Sequence, residues 1–126
     1  MPLPLRQLSP AKPSNINIYR LYKALEQLRS TGEREFPLQL AVTLCWIASH
    51  NGCLQEDLVE ATSMSPSSVS RNVTWLGPRH RLGKEGLKFV RREKDPEDPK
   101  RWRLYLTPEG KQFVRKLEAD LTDSWQ

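Results

Sequence analysis

Apolar residues recur every three or four positions near the start of the chain. This spacing runs from Ile18 to Leu28 and predicts an amphipathic helix beginning near Ile16. Ser14 or Asn15 would cap it, because both side chains can accept a hydrogen bond from a free N–H of the first turn.

Two more helices follow in the apolar pattern. The first is predicted from Pro37 to about His50, and its apolar positions cover enough of the circumference to favour a central, buried helix. A short helix is marked next by Leu54, Leu58 and Ala61.

A serine-rich stretch then has the signals of a helix start. Ser65 is a good N-cap and Pro66 suits the first helical position, while Val69, Val73 and Leu76 form one thin apolar seam. The remaining positions are polar and are expected to be exposed: Ser67, Ser68, Ser70, Arg71, Asn72 and Thr74.

The last third of the chain predicts a hairpin and a final helix. "LKFVRR" (87–92) and "RWRLYL" (101–106) are typical of short strands, and the charged stretch between them would be the hairpin tip. Thr107 would cap the last helix, with Pro108 at its first position and apolar residues every four positions up to Trp125.

These elements predict a mainly α fold with a small β-hairpin (α+β), in the order of a winged helix-turn-helix. Residues 1–14 hold four prolines and no helical period, and we interpret them as a proline-rich N-terminal arm. Residues 15–126 would form the winged helix-turn-helix domain, and at this length a single domain is expected.

The net charge of +5 is concentrated in one segment. Residues 78–103 contain ten Lys or Arg and five Asp or Glu, so the rest of the chain is neutral overall. A localised basic surface indicates a nucleic-acid partner. No apolar run approaches the ~20 residues needed to cross a bilayer, so we expect no membrane partner and a cytoplasmic location, in a prokaryotic or phage-infected cell.

Other chemistry finds little support in the residues. The two histidines, His50 and His80, and the two cysteines, Cys45 and Cys53, do not stand at metal-ligand spacing. The cysteines are interpreted as reduced, buried core residues, with a redox switch as the alternative. We therefore expect no metal, no cofactor and no enzyme activity, and we expect the hairpin-tip acids to hold neighbouring basic side chains by ion pairing.

Two helices joined by a three- or four-residue turn form a helix-turn-helix, whose second helix can enter the DNA major groove. Arginine can bind guanine through two hydrogen bonds and asparagine can do the same for adenine. The bland alternative is an ordinary amphipathic surface helix. The candidate major-groove residues are Ser65, Ser67, Ser68, Ser70, Arg71 and Asn72. The candidate phosphate or minor-groove residues are Gln55, Arg79, Arg81, Arg91, Arg92, Lys94, Lys100, Arg101 and Arg103.

Two segments resemble the MarR family of transcriptional regulators. "LQEDLVEATSMSPSSVSRNVTWL" is similar to the family's helix-turn-helix, and "GLKFVRREKDPEDPKRWRLYLTPEG" is similar to its wing. The resemblance implies that helix Ser65–Leu76 recognises double-stranded DNA and that the wing reaches the minor groove or backbone. It also implies a homodimer formed through the first and last helices, Ile16–Arg29 and Pro108–Trp125. The candidate dimerisation residues are Ile18, Leu21, Tyr22, Leu25, Leu28, Leu117, Leu121 and Trp125.

The sequence departs from the family pattern in ways that affect its partners. The chain stops where many members continue into another dimerising helix, so we expect no small-molecule effector. Three functions remain open: a sequence-specific regulator, most simply a repressor; a winged-helix module for replication or packaging; and a protein-interaction winged helix. The concentrated positive charge argues against the third, because a protein-docking face is expected to expose apolar anchors rather than ten cations.

Overall fold

A computed structural model of the protein describes residues 12–31, 35–79 and 83–122. Within these residues the chain is mainly α-helical with one small antiparallel sheet, which confirms the predicted α+β winged helix-turn-helix. Residues 1–11 of the arm, Arg81 and Trp125 lie outside the described residues. In chain order the elements are α1 Ile16–Arg29, α2 Leu38–Ser49, β1 Cys53–Leu54, α3 Gln55–Thr62, α4 Pro66–Leu76, β2 Val90–Lys94, β3 Trp102–Leu106 and α5 Pro108–Thr122.

The helix starts follow their capping residues. Asn15 caps α1, its side-chain oxygen accepting the Ile18 N–H at 3.2 Å. Ser65 caps α4 as predicted, and Thr107 Oγ1 accepts the Gly110 N–H at 2.9 Å at the start of α5. Each cap satisfies an N–H that the first helical turn leaves without a backbone partner.

The sheet has three strands, so the predicted two-stranded hairpin was incomplete. Its order is β1-β3-β2, with Cys53 opposite Leu104, and the Gly52 N–H donates to the Leu104 carbonyl at 2.8 Å. A two-residue strand has no periodicity of its own, which is why the sequence pattern did not reveal β1.

Strand β2 begins three residues later than predicted because the preceding segment pairs with α4 instead. The N–H groups of Leu87 and Phe89 donate to the carbonyls of Trp75 and Leu76, at 2.9 and 2.8 Å. These bonds satisfy carbonyls that the end of a helix leaves free. We define the wing as Val90–Leu106. The bonds from Leu87 and Phe89 attach the segment just before the wing to the C-terminus of α4.

The core forms where α2 crosses under α4. Leu40, Leu44 and Ile47 of α2 are fully buried, in agreement with the predicted central helix, together with the apolar seam of α4. Leu104 adds the sheet to the same cluster. The inner face of α4 is therefore fixed, and its polar positions are left at the surface or at the edge of the core.

Helix α1 lies along α5, and this pairing uses two of the predicted dimerisation residues. Leu28 is 6% exposed and Leu117 is 7% exposed, because each packs inside the chain's own core. Both also line a groove between α1, α2 and α5, and their contact with a second copy stays a prediction. Both residues stand on an apolar stripe whose width exceeds what one neighbouring helix covers, and the sequence pattern does not separate the two parts of such a stripe.

Gly110 provides a test of this packing. A Cβ at this position would collide with the backbone carbonyl of Phe89, the residue that precedes β2. We expect Gly110→Ala to lower the free energy of unfolding by about 1–3 kcal/mol, although alanine normally favours a helix by up to ~1 kcal/mol over glycine. Chemical denaturation measures it, with exposed Gln112→Ala as the control on the same helix. An unchanged or higher stability for Gly110→Ala would contradict the described contact.

Candidate nucleic-acid interface

The first turns of α4 carry a network of polar side chains at the surface. Ser65 Oγ accepts the Ser68 N–H at 3.1 Å and donates to Ser68 Oγ at 2.9 Å. Arg71 Nη2 donates to the same Ser68 hydroxyl at 3.1 Å, which holds the exposed guanidinium beside the helix start. We call Ser65, Ser67, Ser68 and Arg71 the reading face. It leaves the other Arg71 donors available to an acceptor such as a base edge or a phosphate.

Asn72 was predicted to be exposed, and that prediction was wrong. The residue is 9% exposed, and its Nδ2 donates to Thr43 Oγ1 of α2 at 3.3 Å and contacts Met64 Sδ at 3.8 Å. It lies three positions after Val69 and four before Leu76, on the face of α4 that is turned toward α2 rather than toward solvent. Asn72 therefore joins the recognition helix to the core.

Ser70 also has an intramolecular partner. Its carbonyl accepts Arg92 Nη2 at 2.9 Å, and its hydroxyl lies 3.3 Å from the same nitrogen. Arg92 is partly buried, and burial lowers the pKa of its guanidinium. Ser70 and Arg92 thus meet each other at the junction of α4 and the wing.

Exposed cations with aromatic neighbours lie on the wing strands. The Arg91 guanidinium lies 4.5 Å from the centroid of the Tyr105 ring and forms an ion pair with Glu93. Lys94 Nζ lies 6.0 Å from the centroid of the Trp102 ring. Such cation–π contacts contribute ~0.5–1 kcal/mol at exposed sites, so they orient both cations without removing them from solvent.

The wing tip is ordered by its acidic residues. Asp95 is buried and accepts Arg103 Nε at 3.3 Å, while Arg103 Nη1 donates to the Gly52 carbonyl at 2.8 Å. Arg101 Nε lies 2.8 Å from Glu56 Oε1 of α3 and 3.7 Å from Asp98 Oδ2. The ion pairing predicted for the tip is confirmed for Arg101, and Arg103 takes part as well.

The remaining candidates are less uniform. Lys100 is exposed at the tip, where its backbone N–H donates to Asp98 Oδ1 at 3.1 Å. Arg79 is exposed, and its backbone forms an isolated antiparallel β-bridge with Glu85. Gln55 is the first residue of α3 and is half buried, with its Oε1 enclosed.

A second surface is apolar. Apolar residues of α1, α2 and α5 line a groove of about 480 Å³, with Ala24 and Trp46 among them. Five of the eight candidate dimerisation residues are exposed: Ile18, Leu21, Tyr22, Leu25 and Leu121. In the structure, Leu38 and Val42 of α2 are exposed apolar residues as well. The spacing of Leu38, Val42 and Cys45 marks a second apolar stripe, which the interpretation of α2 as a central, largely buried helix did not separate from the first.

The cysteines differ from the expected buried core residues. Cys45 is exposed beside the apolar groove, whereas Cys53 is half buried in β1. Burial, with the nearby Asp57 carboxylate, raises the pKa of Cys53 to about 11. Its thiol therefore stays protonated near neutral pH, and a protonated thiol is a poor nucleophile.

Among the described residues no group of His, Cys, Asp and Glu could hold a metal ion, and no described helix is long and apolar enough to span a bilayer.

Replacement of Asn72 tests its structural role in joining α4 to α2. We expect Asn72→Ala to lower the free energy of unfolding by about 1–2 kcal/mol, because Thr43 Oγ1 loses a buried donor. Ser67→Ala, at an exposed position of the same helix, should change it by less than about 0.5 kcal/mol. Urea denaturation measures both, and equal stability of the two variants would contradict the buried contact.

Comparison with known proteins identifies the fold. No family model and no curated protein matches the chain. Solved structures do: a mutant of S. aureus MepR bound to an oligodeoxyribonucleotide is 23% identical with a TM-score of 0.62, covering 82% of this chain and 69% of that one. A MarR transcriptional regulator from Methanosarcina mazei Go1 is 17% identical with a TM-score of 0.62, covering 83% and 68%. PcaV from Streptomyces coelicolor in complex with its natural ligand is 26% identical with a TM-score of 0.55, covering 81% and 67%. The chain therefore has the winged helix-turn-helix fold of the MarR transcriptional regulators.

Proposed function

We propose that this protein is a sequence-specific, double-stranded DNA-binding transcriptional regulator, acting most simply as a repressor that occludes a promoter. The observation that carries the proposal is the reading face at the start of α4, where Arg71 is held by Ser68. A basic wing is attached to the same helix by Arg92. One element can enter a major groove while the other follows the adjacent backbone. We propose a cytoplasmic location for this regulator and no enzymatic role.

In this proposal two sets of residues share the binding of DNA. Arg71 and its serine neighbours would read base edges, since arginine can make two hydrogen bonds to guanine. Lys94 and Lys100, both exposed, would bind phosphates, and each such contact releases condensed counterions. Arg92 and Arg103 are engaged inside the chain and are removed from the phosphate set.

Support also comes from a similar structure. The mutant of S. aureus MepR, with the same fold, was solved bound to an oligodeoxyribonucleotide. PcaV was solved with its natural ligand. The expectation that the present chain has no small-molecule effector stays a prediction.

A homodimer is the second part of the proposal. Exposed apolar residues of all three helices, among them Leu25, Leu38 and Leu121, line one groove, and contiguous apolar surface of this kind marks interaction sites. A second copy would bury Tyr22 and Leu25 of α1 together with Leu38 of α2. A twofold dimer would present two copies of α4 to a near-palindromic site.

Selection from random duplex DNA tests the proposed function. The selected duplex and a scrambled duplex are then compared for affinity at two salt concentrations. We expect a near-palindromic winner bound about 10³-fold or more above the scrambled duplex. Equal and strongly salt-dependent binding to both would favour the architectural role in replication or packaging. Failure to bind either would favour a protein partner for α4.

Two substitutions test the division of labour. Arg71→Ala should weaken the free energy of binding to the selected duplex by about 1–3 kcal/mol and relax the preference at one base pair. Lys100→Ala should weaken all sequences alike and reduce the slope of log affinity against log salt by ~0.9. Fluorescence anisotropy with single-base-pair variants of the selected duplex distinguishes them. If both substitutions weaken every duplex equally, the assignment of Arg71 to base reading is wrong.

The dimer surface is tested separately from DNA binding. Leu25→Lys places a charge among the exposed apolar residues and should raise the dimer dissociation constant at least about tenfold, equivalent to ~1.4 kcal/mol. Gln112→Lys adds the same charge at an exposed position of α5 and should leave the constant unchanged. Sedimentation equilibrium measures it. A wild-type chain that stays monomeric at high concentration would refute the dimer.

A further inference from the structure

Arg92 lies on the face of the wing that turns toward α4. Strand pairing places it opposite Leu104, which is fully buried, and the next position on that face pairs Lys94 with Trp102. Arg91 stands on the other face, opposite Tyr105. Because alternate residues of a strand point to opposite faces, the two adjacent arginines have different surroundings and different tasks.

The Arg92 side chain crosses to the middle of α4. Its Nη2 lies 2.9 Å from the Ser70 carbonyl oxygen and 3.3 Å from the Ser70 hydroxyl, although the residues are 22 positions apart. Its Nε is enclosed, with no hydrogen-bond partner in the described part of the chain. The contact engages Nη2 and the Nε is enclosed, so Nη1 is the part of the guanidinium left for a further acceptor such as a phosphate.

The acceptor is itself held in place. The Ser70 carbonyl also accepts the Thr74 hydroxyl at 2.8 Å, in addition to the N–H four residues on that an α-helix supplies. The contact point is thus a fixed part of the helix backbone rather than a flexible side chain. It lies one residue before Arg71, so it ties the wing to the helix directly beside the reading face.

We propose that Arg92 is a positioning residue that fixes the angle between the wing and α4 and thereby sets discrimination between recognised and unrelated DNA, without touching DNA itself. The proposal rests on the proposed function for its DNA consequence. Specific binding requires the reading face and the wing to reach their groove and backbone together, whereas non-specific binding requires only positive charge. Loss of the contact should therefore harm specific binding selectively.

The first test measures DNA binding of Arg92→Gln, with Lys94→Gln as the control that removes one exposed charge from the same strand. We expect Arg92→Gln to lower the ratio of affinities for the selected and scrambled duplexes at least about tenfold, with an unchanged salt slope on the scrambled duplex. Lys94→Gln should reduce that slope by ~0.9 and leave the ratio unchanged. A reduced slope with equal loss on both duplexes for Arg92→Gln would overturn the proposal and make Arg92 a phosphate contact.

The second test does not depend on DNA. Residual dipolar couplings of backbone amides report whether α4 and the wing share one orientation in the free protein. Arg92→Gln should reduce the couplings of the wing relative to those of α4. Couplings identical to wild type would overturn the positioning role whatever the DNA result. A wild-type protein without duplex preference would instead refute the proposed function, and the couplings would still decide whether Arg92 fixes the wing.

Two further variants guard against loss of the fold. Arg92→Lys keeps the charge and one donor group and should recover part of the discrimination. Ser70→Ala removes the hydroxyl but keeps the carbonyl acceptor and should keep the wild-type dipolar couplings of the wing relative to α4, because the shorter contact is to the carbonyl. Circular dichroism confirms folding of each variant. A Ser70→Ala protein with the same loss of wing couplings as Arg92→Gln would contradict the carbonyl as the anchoring atom.

Discussion

Burial of the thin apolar seam of α4 is the constraint on which the rest of the structure depends. Val69, Val73 and Leu76 are fully buried against α2 and the sheet, each contributing about 1.5–3 kcal/mol by leaving water. The helix has no second apolar stripe, so only one rotation about its axis is compatible with the core. That rotation places Arg71 outside and Asn72 inside, and it thereby determines which polar residues can meet a ligand.

The wing is positioned by hydrogen bonds more than by packing. Its root is attached through the carbonyls at the end of α4, its middle through Arg92 and its tip through Asp95 and Arg103. Several of the basic side chains that give the chain its local charge are therefore used to build the wing. The charge still acts at a distance, because an internal hydrogen bond does not remove it, but fewer cations are free for direct contact than the sequence count suggests.

Much of this fold could be predicted from the residues, because its signals are local. The caps Asn15, Ser65 and Thr107, the central helix α2 and the order of a winged helix-turn-helix all follow from spacing and cap chemistry. What could not be predicted depends on partners distant in the chain. Strand β1 forms because it pairs with β3. Asn72 is buried because it donates a hydrogen bond to Thr43, which is 29 positions away in the chain. The candidate site stays a prediction, and the different contacts of its arginines could be seen only in three dimensions.

The central claim is that the start of α4 and the exposed cations of the wing form one continuous DNA-binding surface. Titration of the isotopically labelled protein with the selected duplex, followed by amide chemical shifts, tests this most directly. The account predicts that the largest shifts occur together at 65–71 and 91–101, with little change on the face of α1 that bears Tyr22 and Leu25. Shifts concentrated on α1 and α5, or confined to only one of the two predicted segments, would contradict it.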